Sequence, residues 1–217
     1  MIKERLNILK KQFNGLGIDG YVVPKNDEFF SEYCEKNRLK FISNFSGSAG
    51  YAVILKKINY LFVDGRYTIQ AEIESGKNFK IVDYKKIVDC NLFKNLTLGI
   101  DPRLFTSLQI KKYFSKNNKI RLIQSNLIDE ISKKKNGVSK PFFSIKSNIV
   151  GESYRSKINK IKNFLKKNKS DWIFISAPEN VAWVLNIRGY DNPNSPIPNC
   201  HLLIGNHKMY LITKSKN

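Results

Sequence analysis

The feature that most constrains this chain is a succession of short apolar runs separated by segments of helical period. GYVVP at 20–24, YAVIL at 51–55, YLFVD at 60–64, FKIVDY at 79–84, LTLGID at 96–101 and IRLI at 120–123 are strand-length. Helical spacing appears between and around them: Leu6, Leu9 and Phe13 near the N-terminus, then YTIQAEIES, a stretch near 85–95, TSLQIKKYFSKN and NLIDEISKK. DEFFSEYCEK reads as a further short helix with Asp27 as its cap. Strands alternating with helices bury their apolar faces against one another only in layers, so the expected fold class is α/β.

Periodicity breaks at KKKNGVSKPFFSI, Lys133–Ile145, where charge, Gly137 and Pro141 interrupt it. The chain therefore divides into a domain over 1–135, a linker over 136–150 and a second α/β unit over 151–217. In that unit Tyr154, Ile158, Ile161 and Leu165 mark one helix face, strand WIFIS follows, and PENVAWVLN is a helix with proline in its first turn. CHLLIG and MYLIT then form a hairpin across Asn206 and His207. About 70 residues is small for an independent core, so this unit is expected to be incomplete.

Several function classes lose their footing here. The N-terminal MIKERLNILKKQF carries charge in every turn, unlike a secretory signal, and no run nears the roughly 20 apolar residues of a membrane span, so a cytoplasmic protein without a membrane partner is expected. Cys34, Cys90 and Cys200 are odd in number and far apart, which fits neither a disulfide framework nor a CxxC site. The net charge of +20 invites a nucleic-acid partner, but only 7 of the 38 basic residues are arginine and the rest lysine, alongside abundant asparagine and isoleucine. Base readers favour the arginine fork, so the charge reads as compositional and no specific nucleic acid is expected. His201 and His207 have no acidic cluster nearby, and no GxSxG elbow is present; no catalytic residue and no metal ligand is assigned.

Two motifs remain. SGSAG at 46–50 feeds a strand instead of a helix, so small residues there serve close packing and not phosphate binding. Asp64-Gly65-Arg66 ends a strand in a sharp turn that throws an arginine outward. Arg66 has two readings: an ion pair with a carboxylate such as Asp64, or a guanidinium that reaches into a cleft to bind a peptide carbonyl or carboxylate. Arg188, after a helix and three residues before Asp191, reads as a structural pair at a helix C-terminus.

DGYVVPKNDEFFSEY, FISNFSGSAG, LFVDGRYTIQA, GIDPRLFT and NVAWVLNIRGYDNPNSP, in that order, resemble the N-terminal portion of the Xaa-Pro aminopeptidases, the creatinase-type metallopeptidases, over nearly the whole chain. The resemblance implies a creatinase N-terminal-like mixed sheet with flanking helices, followed by a second, truncated creatinase-like unit. It further implies a parent that removes the residue before an N-terminal-side proline using two Mn2+ ions held on a third domain, to which none of these positions corresponds. On that footing the chain is expected to be inactive alone and to need no cofactor of its own. Arg66 is then the substrate-binding residue, facing a peptide with proline at its second position. Trp183, Arg188 and Asp191 match family positions and are assigned to packing or inter-domain contacts. The resemblance also implies a homodimer, formed in the family partly through elements outside this chain. The alternative is a standalone peptide-binding or partner-binding module that has lost its catalytic domain.

Overall fold

The structure, a computed structural model, describes residues 1–31, 36–88, 91–132 and 140–215. The described residues form two compact units, one of residues 1–31, 36–88 and 91–132 and the other of residues 140–215. Cys34 and Cys90 lie outside the described residues.

The first unit is built on a six-stranded mixed sheet of order β4-β3-β2-β1-β5-β6. Its strands are β1 (Gly20–Pro24), β2 (Gly50–Leu55), β3 (Asn59–Val63), β4 (Lys80–Asp83), β5 (Thr97–Ile100) and β6 (Lys119–Leu122). β2 is antiparallel to β1 and β3, whereas β1–β5, β5–β6 and β3–β4 are parallel. Every residue of β1, β2 and β3 is buried, which explains why these strands read as unbroken apolar runs: both sheet faces are covered. The two-residue pleat sends Tyr21, Val23, Ala52, Ile54, Leu61 and Val63 to one face. There they meet Leu6, Leu9 and Phe13 of the N-terminal segment, whose helix α1 spans Ile2–Lys11, with α2 (Arg38–Ser43), α3 (Thr68–Ser75) and α5 (Leu127–Ser132). Val22, Tyr51, Val53, Tyr60 and Phe62 take the other face, against Phe93, Leu104, Phe105 and Phe114, with α4 (Ser107–Tyr113) contributing Ile110 and Tyr113.

Loops in this unit are held by carboxylates. Asp101 is fully buried after β5 and accepts from the Arg103 guanidinium at 2.7 Å and from Asn126 Nδ2 at 2.9 Å, so the GIDPR turn is locked to the start of α5. Burial alone would raise its carboxyl, but these donors outweigh it and the pKa lies below the usual aspartate value. Asp27 Oδ1 accepts the amides of Phe29 and Ser31, and Phe30 adopts φ 57°, so no helix forms across 27–31; residues 32–35 of the expected helix lie outside the described residues. A bulky residue in the left-handed region cannot continue a right-handed helix. The helix expected near 85–95 is, where described, one 3-10 turn over Tyr84–Ile87 capped by Asp83.

Arg38, at the start of α2, is the largest fully buried side chain. Its Nε and Nη2 each lie 2.9 Å from an oxygen of Asp129, Nη2 also reaches Glu28 at 2.5 Å, and Lys36 reaches Asp129 at 2.7 Å. The network ties the loop after β1 to α2 and α5.

In the second unit, α6 (Tyr154–Lys167) and α7 (Pro178–Leu185) pack on a three-stranded sheet of order β11-β10-β8, with β8 (Trp172–Ile175), β10 (Cys200–Gly205) and β11 (Met209–Thr213). Ile158, Val181, Val184, Leu202 and Ile204 form its core. The opposite sheet face carries Trp172, Phe174, Tyr210 and Ile212, all exposed. Within the stretch read as linker, β7 (Phe142–Ser144) pairs antiparallel with β9 (Ile187–Gly189). Neither strand shows a usable two-residue pattern, since each is three residues long and pairs across more than 40 positions of chain. Lys157 is buried and donates to Trp183 O and Asn186 Oδ1, both at 2.7 Å, with its ammonium 4.0 Å above the Trp183 ring. A cation therefore caps the C-terminal end of α7, where unsatisfied carbonyls gather.

Candidate functional site

β1 and β3 run in the same direction on either side of β2, so both deliver their C-terminal ends to one sheet edge, which is where open α/β sheets form ligand crevices. A cleft of about 400 Å3 opens there. Lys25 and Asn26 enter it from the end of β1, Ser48 and Tyr51 from the loop and start of β2, Asp64 from the end of β3, and Tyr84 from the end of β4. Asn26 is fixed by donating to Leu104 O at 3.0 Å.

The aromatic side of the cleft is a packed cluster. Tyr51 stacks on Tyr84 at 5.6 Å and on Phe105 at 6.1 Å, and Tyr84 OH is 3.4 Å from Tyr113 OH. Burial raises the pKa of Tyr51, and burial together with the Tyr113 hydroxyl raises that of Tyr84, so both phenols stay protonated at neutral pH and offer rings and O–H groups but no charge. The opposite rim carries charge: Lys25 is buried and Asp64 faces solvent.

Arg66 lies two residues beyond Asp64, in a 3-10 turn over Gly65–Tyr67. Its backbone amide donates to Asp64 Oδ1 at 3.0 Å and its Nε donates to the same oxygen at 2.9 Å. The amide first and the guanidinium second hold the Asp64 carboxyl below the usual aspartate value. The ion pair foreseen between these residues is present, and 74% of the Arg66 side chain remains exposed. An exposed pair of this kind fixes the guanidinium without hiding it.

The structure brings together the two motifs singled out in the sequence. Ser48 Oγ of SGSAG lies 2.9 Å from Tyr67 OH, and Ser46 engages Glu74 of α3 through both its amide and its hydroxyl, at 2.7 and 2.5 Å. Gly47 packs so closely on Phe45 that a Cβ there would come within 2.2 Å of the ring, and a Cβ at Gly50 would meet Phe62 O at 2.9 Å. Small residues are thus a packing requirement of this loop. Lys25, Tyr51 and Tyr84 were not read from the sequence; each sits in or beside an apolar run, where nothing local separates a cleft-lining ring from a core ring.

Arg188 does not take the partner expected for it. Its Nη1 donates to Ile187 O at 2.8 Å, near the end of α7, while Asp191 accepts the amides of Lys140 and Asn199 at 2.8 and 2.7 Å. The carbonyl of the preceding residue, with Ala182 O of α7 at 3.4 Å, satisfies this guanidinium nitrogen, and Asp191 turns instead toward two loop amides. His201 Nδ1 lies 2.8 Å from Ser176 O. Cys200 is buried, and burial pushes its thiol up to about 12. Among the described residues no group of three or more His, Cys, Asp or Glu side chains could hold a metal, and no helix is long and apolar enough to cross a membrane.

A family model described as the creatinase/prolidase N-terminal domain matches residues 5–131, and a second of the same description matches residues 133–217. The chain is 33% identical over 215 residues to a protein of Laccaria bicolor named "Probable Xaa-Pro aminopeptidase P", covering 89% of this chain and 33% of that one. It is 31% identical to aminopeptidase P2 of Arabidopsis thaliana, covering 94% of this chain and 31% of the relative. Among solved structures, the X-prolyl aminopeptidase of Caenorhabditis elegans, described as a cytosolic enzyme with a di-nuclear active site, matches with a TM-score of 0.88 at 25% identity. That match covers 100% of this chain and 40% of the enzyme. The chain spans about a third of the length of the curated relatives it matches.

Proposed function

This chain belongs to the creatinase/prolidase N-terminal domain family, and from that premise we propose that it is the N-terminal, non-catalytic portion of a cytosolic Xaa-Pro aminopeptidase and contributes peptide contact through Arg66. The observation that carries the reading is the likeness to the C. elegans enzyme over the whole of this chain. Arg66 supports it locally: an exposed guanidinium, oriented by Asp64, stands beside a cleft lined by tyrosine rings and polar groups. Planar donors suit a peptide carbonyl or carboxylate, and tyrosine rings suit a prolyl ring.

On this reading the hydrolytic step belongs to residues outside this segment in a longer protein, with Mn2+ as the expected metal; the C. elegans relative is described as having a di-nuclear active site. The 217 residues hold one end of the substrate and leave its bond intact.

The test is kinetic. In a protein that carries this segment ahead of its metal centre, Arg66→Ala lowers kcat/KM for Xaa-Pro peptides by roughly 10- to 100-fold, the equivalent of a hydrogen bond to a charged group, and Arg66→Lys recovers only part of it. An unchanged kcat/KM would remove Arg66 from the substrate site. Chelator-sensitive Xaa-Pro cleavage by the 217 residues alone would overturn the non-catalytic assignment.

A further inference from the structure

A second concavity in the first unit has a different character. Lys3 and Lys10 project from α1, seven residues apart and so on one helix face; Lys57 comes from the β2–β3 turn; Lys77 and Lys80 bracket the entry to β4. With Asn59 they line an open groove of about 430 Å3 to which no carboxylate contributes. Among the described residues, none of these five ammonium groups takes part in a hydrogen bond or an ion pair. The contrast with the neighbouring residue is direct: Lys56 pairs with Asp19 at 3.1 Å.

Five unpaired cations converging on one concave surface repel one another, and a concave wall of low dielectric focuses their field. Lys10 is partly buried in the groove wall, and that burial alone draws its pKa below the ordinary lysine value. Asn59 is buried against the groove; its Nδ2 donates to Asn78 O at 2.9 Å and its Oδ1 has no partner.

We propose that this groove binds a compact, multiply phosphorylated small molecule, with Lys3, Lys10, Lys57, Lys77 and Lys80 as its phosphate contacts. Three properties define the ligand class. Lysine presents mobile point charges that suit clustered phosphates, without the planar fork that reads base edges. The volume falls in the range of small-ligand sites. Phe79, the one aromatic residue in the lining, is 6% exposed, so the groove offers no platform on which the bases of a single strand could stack.

The test is calorimetric titration of the 217-residue chain with inorganic tripolyphosphate at physiological ionic strength, with ATP as a second arm. Two triple variants with equal charge loss separate the groove from bulk charge. The groove variant carries Lys10→Gln, Lys57→Gln and Lys77→Gln; the control carries Lys162→Gln, Lys166→Gln and Lys167→Gln on α6. Saturable binding that weakens roughly tenfold or more in the groove variant and stays within about twofold in the control supports the site. Tighter binding of ATP than of tripolyphosphate makes the ligand a nucleotide; equal binding makes it the phosphate chain alone. No saturable binding, equal loss in both variants, or an oligothymidylate that competes with tripolyphosphate only through charges outside the groove overturns the proposal. If the groove variant melts below the parent, Lys57→Gln and Lys77→Gln singly, both on exposed turns, take its place, and each must weaken binding by roughly threefold.

Discussion

Replacing Arg38 with methionine removes the cation that organises the loop leading into the cleft. Arg38 is 2% exposed, and its guanidinium serves two carboxylates, Asp129 and Glu28, whose side chains are 23% and 31% exposed. Methionine fills most of the volume, so the loss is electrostatic: two half-buried carboxylates lose their shared guanidinium, leaving Lys36 hydrogen-bonded to Asp129 and Lys36 and Arg103 acting on Glu28 only through their charge. Breaking a buried pair from one side costs about 3–5 kcal/mol, and partial exposure of both acids places this case near the lower end, about 3 kcal/mol. That is a large share of a typical domain stability of about 5–15 kcal/mol. Adding Glu28→Gln and Asp129→Asn to Arg38→Met recovers part of it, because no charge is then left uncompensated. Both tryptophans, Trp172 and Trp183, lie in the second unit, so tryptophan emission does not follow this change. Amide hydrogen exchange of β1 and β2 during urea unfolding does. Burial opposes the ionised forms of Glu28 and Asp129, but the hydrogen bonds from Arg38 outweigh it, and both carboxyls lie below their ordinary pKa values. The stability they contribute is complete above the ordinary carboxylate range and is lost as pH falls through the depressed folded values. Arg38→Met flattens that acid-side slope. A loss under about 1 kcal/mol, or an unaltered slope, would refute the reasoning.

Other outcomes follow from the same geometry. Lys157→Met strands Trp183 O and Asn186 Oδ1 at the end of α7 and lowers the second unit's stability by about 2–4 kcal/mol, read by tryptophan emission in urea; a change within about 0.5 kcal/mol would deny the cap. Gly47→Val drives a side chain into the Phe45 ring and costs about 1–3 kcal/mol by thermal melting, whereas an unaffected melt would mean the loop yields freely. Arg66→Ala leaves the melting temperature unchanged while altering peptide contact, and a lowered melt would return Arg66 to a structural role. Cys200, with its thiol pushed up to about 12, resists iodoacetamide in the native protein and is labelled only in denaturant, as peptide mapping will show; rapid native labelling would contradict its burial.

What could be read from the sequence, and what could not, divides along chain separation. β1, β2 and β3 were legible because burial on both faces leaves runs such as YAVIL without a polar interruption. α6 was legible because Ile158, Ile161 and Leu165 keep helical spacing on the side facing the core. α2 escaped notice: six residues opening on a buried arginine carry too little periodicity, and the acids that make Arg38 tolerable are 10 and 91 positions away. β7 and β9 define each other only by pairing. In the candidate site, Arg66 and its Asp64 partner stood out because they are two residues apart. Tyr51 stands at the start of β2 and Tyr84 follows β4, and they meet only through the fold, as do the five lysines that the second groove draws from a helix, a turn and the entry to β4. Local pattern records what each element buries; the partners assembled across the fold leave no mark within any one segment.

The central claim, that these 217 residues serve as the N-terminal portion of an Xaa-Pro aminopeptidase, is met most directly by reading the source coding frame beyond the Asn217 codon. An in-frame continuation carrying clustered aspartate, histidine and glutamate metal ligands, of a length that brings the whole protein to that of its relatives, is the result expected. A stop codon at that position would contradict it.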